Sequence, residues 1–571
     1  MSNRFQAGVR RTATALAISI VPSRSVVLLA ALCSTVLASL PSGAHAQAAD
    51  TSCRVHLQSA DFVGTAADLA RLLDLQDSTS SASVVLRRGG HGLTTNACGI
   101  PASVAGLARS LASDGPHAGL RLLVPELLIV GNSAYARDWN DGALWGGRGL
   151  NGSLTGGVEA LWGPLTAAIA PIVVWQSNSE YDITVNADLE RSEFASNWVR
   201  GIDAPQRFGT GSFGGIDAGQ SFARVDYRGF GAGVSNENIQ WGPARRNALL
   251  LSGTAAGFPH VFLETEQPTD VYIGDLEVQA FWGRLDESEY FDLEPDNDRR
   301  MLAGLLIALQ PRILDGLTIG GARIHSLTWW PELSFMDLAL QPYRGIRQNP
   351  GGRGGDNQLL GVFFRWKSAP AAFEVYGEWA RDDHWGTAIE LLRNLDSSQA
   401  WSLGLQKLIR RGDNALRLSA ELTHLADALP SRMIFRSGPI SFYSNSSVTQ
   451  GHTQRGQMLG AAIGTGAEAL FVGGDYFWSG GRTSLSVERA RYNEDAYNVY
   501  YAPEFRAGAR DSELSVRAGH VALFGPVMVD AEVGWSVRYN RDLLGLADIE
   551  PGEAYRRDDN VSLRLGVRWS K

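Results

Sequence analysis

The chain reads as an all-β transmembrane barrel of about eighteen antiparallel strands, preceded by a small N-terminal periplasmic helical domain. Three observations predict this. From about Leu120 to Lys571, strand-length segments alternate apolar and polar residues; their connections are alternately very short and long; and the N-terminus carries an export leader.

The leader comes first. Arg10, Arg11 and Arg24 precede an apolar run from Val26 to Leu40, followed by Pro41 and the small-residue site Ala44-His45-Ala46, the order of a secretory signal peptide. Residues 1–46 are expected to be removed, leaving a mature chain from near Gln47. The run falls short of the roughly 20 apolar residues that a spanning helix needs. Leu32 is too bulky for the position before a lipoprotein cysteine, so Cys33 does not mark a lipid anchor.

Residues 47–119 form the predicted periplasmic domain. Thr65-Ala-Ala-Asp68 reads as a capping box opening a helix with Leu69, Leu72, Leu73 and Gln76 along one stripe. Pro101 to Ala112 reads as a second helix with proline in its first turn, and Ser83 to Arg87 as a short strand between them. Cys53 and Cys98 are the cysteines left after leader removal. In an oxidising compartment they favour a disulfide, whose loop of roughly 45 residues contributes around 3 to 4 kcal/mol in the chain-entropy model. A segment ahead of the first barrel strand lies on the periplasmic side, where it either plugs the barrel mouth or meets a periplasmic partner that its composition does not name.

The barrel, residues 120–571, is clearest at its end. Val561, Leu563, Leu565, Val567 and Trp569 share one face, and Ser562, Arg564, Gly566 and Arg568 the other. Leu416 to Thr423 and Val529 to Arg538 repeat the pattern. Short turns fall at Trp162–Leu165, Gly229, Gln267–Val271, Pro311–Asp315, Ser368–Pro370, Arg411–Asn414, Ser479–Gly481 and Gly525–Pro526. Long connections fall at 132–148, 178–220, 239–257, 287–298, 328–356, 383–398, 427–466, 493–509 and 542–557. Nine hairpins joined by eight turns give eighteen strands, provided the apolar stretch Met458 to Ile463 belongs to a loop.

Composition fits an exported barrel. Mean hydropathy is -0.10 despite 16 Trp, 15 Tyr and 21 Phe, because alternating strands hide their membrane signal in the average. A net charge of -9 argues against nucleic acid as a partner. Gly209 to Gly214 matches GxGxxG without the strand and helix that a dinucleotide fold requires. His384 beside Asp382 and Asp383, and His424 beside Glu421, come with neither GxSxG nor HExxH. The acidic stretch Asp286 to Asp298 lacks the spacing of a dedicated Ca2+ loop. No cofactor, no metal and no enzymatic activity are expected.

Several runs carry a family resemblance: Asn140-Asp-Gly-Ala-Leu-Trp-Gly-Gly-Arg-Gly149, Ser235-Asn-Glu-Asn-Ile-Gln-Trp-Gly-Pro243, Asn247-Ala-Leu-Leu-Leu-Ser252, Ala256-Gly-Phe-Pro-His260, Ile273-Gly274, Trp282-Gly-Arg-Leu285 and Gly451-His-Thr-Gln-Arg-Gly-Gln-Met-Leu-Gly460. In these runs the chain resembles the Wzi family of outer-membrane capsule-assembly proteins. The resemblance implies an eighteen-stranded barrel with an N-terminal periplasmic helical domain, holding capsular polysaccharide at the bacterial outer membrane. It is faint in the N-terminal region and in loop 178–220.

Loop chemistry suits a glycan independently, since sugar C–H faces stack on aromatic rings and hydroxyls pair with Asn, Asp and Arg. Trp139, Asn140, Asp141, Trp145 and Arg148 cluster in the first long loop, Trp241, Arg245, Arg246 and Asn247 in the third, and Trp329, Trp330, Tyr343, Arg344 and Arg347 in the fifth. On an acidic polymer the arginines would add carboxylate contacts. The same residues are equally able to fix loop turns. The expected protein is a monomeric, non-catalytic barrel whose partners are a surface polysaccharide and outer-membrane lipid. A passive porin is the alternative reading, and an outer-membrane hydrolase with a dyad at the rim a third.

Overall fold

The computed structural model describes residues 54–57, 65–76, 86–88, 93–97, 99–113, 118–137, 140–184, 190–196, 198–199, 201–294, 297–328, 356–382, 398–426, 441–500, 509–544 and 556–569. The leader 1–46, Cys53 and Cys98 with the disulfide expected between them, Trp139, and the fifth-loop residues Trp329, Trp330, Tyr343, Arg344 and Arg347 lie outside the described residues.

The wall strands are, in chain order, β1 Gly119–Asn132, β2 Gly149–Trp162, β3 Leu165–Ile169 with Ile172–Gln176, β4 Phe213–Asp217 with Phe222–Tyr227, β5 Phe230–Ser235, and β6 His260–Thr265 with Thr269–Asp270. There follow β7 Gly274–Asp286, β8 Arg299–Pro311, β9 Leu317–Thr328, β10 Asp356–Ser368, β11 Phe373–Asp382 and β12 Gln399–Arg411. The last six are β13 Asn414–His424, β14 Glu468–Trp478, β15 Gly481–Tyr492, β16 Asp511–Phe524, β17 Val527–Tyr539 and β18 Arg557–Trp569. Three strands are written in two pieces, so the 21 hydrogen-bonded segments of the sheet make eighteen strands. Pro171 and Pro268 sit in two of the gaps, where a residue without an N–H interrupts the ladder. β18 pairs antiparallel with β1, from Ser562↔Asn132 to Arg568↔Glu126, and this closes the sheet without an edge.

The eight short turns lie where the sequence places them, with one shift. The β6–β7 strands pair through Asp270↔Asp275, so the tip is Val271 to Ile273 rather than Gln267 to Val271. The third to fourth strand connection is also shorter than expected, because Phe213–Asp217 already belongs to the wall. Its glycines blur the alternation. Gln457–Met458 pairs only with Thr453–Gln454, so the Met458 stretch is loop, as the strand parity requires.

Outward positions carry the apolar belt. Val472, Val487, Val516, Trp535 and Val561 stand in register across five neighbouring strands, and Trp162, Tyr227, Phe230, Tyr272, Phe524 and Trp569 are exposed near the short turns. Inward positions differ along the wall. In β13 to β18 they are polar, among them Arg417, Glu421, Asp475, Glu488 and Glu513. In β7 to β12 they include Phe281, Leu302, Leu306, Ile324, Leu359 and Phe363, which pack with Leu249, Leu250, Phe258, Phe442, Tyr443 and Leu459 from two long loops folded into the lumen. Leu306 is fully buried while its neighbour Ile307, facing out, is 45% exposed. This half of the lumen is therefore a packed core.

The N-terminal unit fills the short-turn end. Helix α1, Thr65–Gln76, and helix α2, Ala102–Ser110, join strands Arg54–Leu57, Leu93–Asn96 and Ala112–Ser113, which make a sheet of their own, while Leu86–Arg88 pairs with Ile239–Trp241 of an in-folded loop. Leu69, Leu72 and Leu73 of α1 are buried with Val104 and Leu107 of α2 and with Leu408, Phe477, Val521 and Met528 of the wall. Polar groups then fix the seating. Asp68, expected as the second half of a capping box, is bridged by Arg245 at 2.6 Å, Arg417 at 2.9 Å and Arg482 at 3.4 Å. Burial alone would raise its carboxyl, but these three arginines outweigh it and hold the group well below the usual carboxylate range.

One loop histidine makes the packing pH-dependent. His452 is fully buried, stacks on Tyr443 with ring centroids 5.4 Å apart, and faces the Leu250 carbonyl at 2.6 Å, so its Nε2–H donates. Burial pushes its pKa down to about 4. Because the folded form binds the proton less readily than the unfolded chain, its stabilising effect is complete above pH of about 6.5 and is lost as pH falls toward 4. The loss is on the order of 3 kcal/mol. Glu287, whose burial pushes its carboxyl up to about 8, contributes in the opposite sense across the same window. The check is therefore the difference in thermal unfolding between the protein and His452→Gln: it is expected to shrink as pH falls from about 6.5 toward 4, and a pH-independent difference would rule out His452.

Candidate functional site

At the long-loop end a cleft of about 250 Å³ opens between loops that are far apart in sequence. Its aromatic walls are Tyr135 just after β1, Trp145 in the same loop, Tyr181 and Trp198 in the loop after β3, and Tyr492 at the end of β15. Its charged floor is Arg538 of β17 with Arg541 and Asp542 of the turn beyond. That turn is left-handed at Asn540, Asp542 and Leu543. Such backbone persists only where the surroundings fix it, and here the Asp542 amide donates to Asp511 at 2.9 Å while its carboxylate receives Arg538 and Arg541.

The guanidinium groups hold the rings in place. Arg538 donates from Nε and Nη2 to the two Asp511 oxygens, both at 2.7 Å, and lies 4.3 Å over Tyr492. Arg541 donates to Asp542 at 3.0 Å, to Asp558 at 3.2 Å and to the Asp182 carbonyl at 2.9 Å, with Tyr135 and Tyr181 on its faces at 5.5 and 5.3 Å. Trp198 donates its indole N–H to the Asp542 carbonyl at 2.7 Å. Trp145 meets Phe208 edge-on at 4.9 Å. Burial pushes the Tyr135 hydroxyl up to about 12 and raises that of Tyr181, so both stay protonated. Burial opposes ionisation of Asp542, yet Arg538 and Arg541 prevail and lower its pKa. The result is a cleft whose tyrosine rings are fixed against guanidinium groups.

The described residues singled out from sequence divide into four groups. Trp145 lines the cleft. Asn140, Asp141 and Arg246 border a second cavity of about 130 Å³ in the lumen, with Arg137, Arg517 and Arg564. There Asn140 donates to the Arg246 carbonyl at 2.9 Å and accepts from Thr254, Asp141 is held by Arg564, and Arg246 bridges Glu488 at 3.0 Å while lying 4.1 Å over Phe471. The third group serves the barrel's interior. Trp241, 1% exposed, donates to Gln279 at 2.7 Å, Arg245 bridges Asp68 of α1, and Asn247 is buried with its amide on Glu421. Arg148 stays near the rim, donating to the carbonyls of Ser133 and Glu180.

Of the histidines noted in the sequence, His424 lies on the barrel wall. His424 faces outward, stacked on Trp401 and 3.5 Å from Glu468, while Glu421 is on the opposite, lumenal face. His384 lies outside the described residues, among which no group of three metal-binding side chains occurs. Tyr135, Tyr181, Trp198, Tyr492, Arg538, Arg541 and Asp542 were not legible as a site, because they converge from four separate connections.

A closed, even-stranded sheet with an apolar outer belt, short turns at one end, long loops at the other and a filled lumen defines a bacterial outer-membrane β-barrel of the plugged kind. Within that class the chain belongs to the capsule assembly protein Wzi family, whose model matches residues 146–548. No curated protein sequence matches the chain. Among solved structures it is similar to Wzi of Escherichia coli, described as an outer-membrane protein involved in group 1 capsule assembly and a carbohydrate-binding β-barrel, at 12% identity and TM-score 0.54, over 90% of this chain and 99% of that one. Looser matches include OccAB3 of Acinetobacter baumannii, at 10% identity and TM-score 0.37 over 78% and 99%, and OccK7 of Pseudomonas aeruginosa, at 11% and 0.35 over 80% and 99%.

Proposed function

We propose that this barrel binds a surface polysaccharide through its long-loop end and organises it on the outer membrane without making or breaking covalent bonds. The observation that carries the reading is the cleft, which gathers two tryptophans and three tyrosines at one opening. Arg538 and Arg541 cover faces of Tyr135, Tyr181 and Tyr492 and fix them, and the half-buried Trp198 offers the apolar face that a sugar stacks on. Family membership and the carbohydrate binding described for the Escherichia coli relative support it. In this reading the leader 1–46 is removed, the short turns and the N-terminal unit face the periplasm, and each barrel acts as a monomer in outer-membrane lipid. A passive porin needs a wet lumen, whereas α1 and the in-folded loops occupy this one.

Binding per site is weak and becomes strong when one polymer engages many barrels. Deleting the protein is therefore expected to release polymer into the medium while its synthesis continues. Polymer still attached to the deleted cells would refute the proposal. Combined Trp145→Ala and Trp198→Ala changes, read by binding of purified polymer fragments to the barrel, are expected to weaken affinity about tenfold or more, as loss of buried aromatic anchors does. Unchanged affinity would move the site elsewhere.

A further inference from the structure

The cleft's charges are already matched, and this bears on which sugars it accepts. Among the described residues around it, Arg538, Arg541 and Arg556 meet four carboxylates, Asp182, Asp511, Asp542 and Asp558, while Arg207 beside Tyr181 is held by the carbonyls of Tyr181 and Gly209. Arg541 donates from all three of its nitrogens. Arg538 has its Nε–Nη2 edge on Asp511 and its faces toward Tyr492 and Tyr135. At Arg538, Arg541 and Arg556 an incoming carboxylate would find only the Nη1 groups of Arg538 and Arg556 outside these bonds, and there it would face the aspartates that already hold both side chains. An uncharged sugar has no such cost: its hydroxyls pair with carbonyl and carboxylate lone pairs, and its apolar face meets the half-buried Trp198. Size narrows the choice further. About 250 Å³ is below the range of pockets that enclose drug-sized ligands, so the cleft itself holds about one sugar ring, with the rest of the chain outside it.

Resting on the reading of the cleft as the polysaccharide site, we infer that it selects a single uncharged sugar residue, presented as a chain end or side branch of the polymer. Arg538 and Arg541 act as scaffolding for the rings and not as receptors for an acidic glycan. The test uses the full barrel in detergent, with Trp fluorescence as readout. The probes are fragments of the host strain's own polysaccharide, the same fragments after chemical reduction of their carboxylates to alcohols, and short neutral oligosaccharides of glucose, galactose and mannose.

The expected result is that reduced fragments bind within about twofold of native ones, that affinity changes little between about 50 and 500 mM NaCl, and that at least one neutral oligosaccharide competes. Trp198→Phe is expected to diminish the fluorescence response. A tenfold or greater loss on carboxylate reduction, together with steep salt dependence, would overturn the selectivity while leaving polysaccharide binding intact. If no form of the polymer binds, the underlying reading of the cleft fails instead.

Discussion

Replacing Glu374 with alanine is expected to unseat the N-terminal unit and to raise conductance through the barrel. Glu374 of β11 is fully buried and gathers three donors: Arg71 of α1 at 2.8 Å, Arg365 of β10 at 2.6 Å and Gln406 of β12 at 2.8 Å. Arg71 also donates to the Pro243 carbonyl at 2.6 Å and lies 4.6 Å over Tyr376, so one side chain ties α1 to both the wall and an in-folded loop. Arg365 shares Asp74 of the same helix with Lys367. Truncating Glu374 leaves two guanidinium groups in a dry site with one carboxylate, Asp74, beside Arg365 alone. Removing one member of a buried ion cluster costs about 3 to 5 kcal/mol. Glu374→Gln keeps the shape and part of the hydrogen bonding, so its cost is expected to fall between. Thermal unfolding together with conductance in planar bilayers measures both effects. A variant with wild-type conductance and wild-type unfolding temperature would show that the apolar contacts of α1 with Leu408, Phe477 and Met528 hold the plug alone.

That latch shows where sequence reading succeeds and where it stops. Period-two alternation finds the wall because lipid on one side imposes it: Val561, Leu563 and Trp569 face out, and Asn560 and Arg568 are buried. Turn parity finds the strand number because a closed even-stranded sheet returns both ends to the same side. The inner face is another matter. Met301 to Leu309 is apolar on both faces because its lumenal side meets loop residues distant in sequence, such as Leu250 and Phe258, and no local pattern reports that contact. Trp241, Arg245 and Asn247 have the composition of a sugar site, yet a loop inside a barrel must satisfy its own backbone and anchor itself. The same donors and rings serve either purpose. The cleft is harder still, since Tyr135 and Arg541 meet only after the barrel has closed.

Glu421→Ala is expected to release that in-folded loop. Its carboxylate accepts the backbone amides of Arg245 at 2.9 Å, Arg246 at 3.1 Å and Asn247 at 2.9 Å, and the Tyr376 hydroxyl at 2.9 Å. Glu378 holds the flanking amides of Ala244 at 2.6 Å and Leu249 at 2.9 Å. Two wall carboxylates thus satisfy five loop N–H groups that would otherwise be buried in the lumen. Each buried donor left unsatisfied costs about 1 to 3 kcal/mol, so losing Glu421 costs several kcal/mol. A loop relieved of that penalty by moving into water exposes Arg245 and Arg246 to trypsin, which the native packing hides. Release also withdraws Arg245 from Asp68 and the Asn247 Oδ1 acceptor from the Ile463 amide. Ile463 lines the cleft, so polymer affinity is expected to fall along with plug stability. Glu421→Gln retains an oxygen that accepts some of these amides and is expected to cut more slowly. Resistance of Glu421→Ala to trypsin at Arg245 and Arg246 would mean that Glu378 and the apolar core around Leu249 and Leu250 suffice to keep the loop inside.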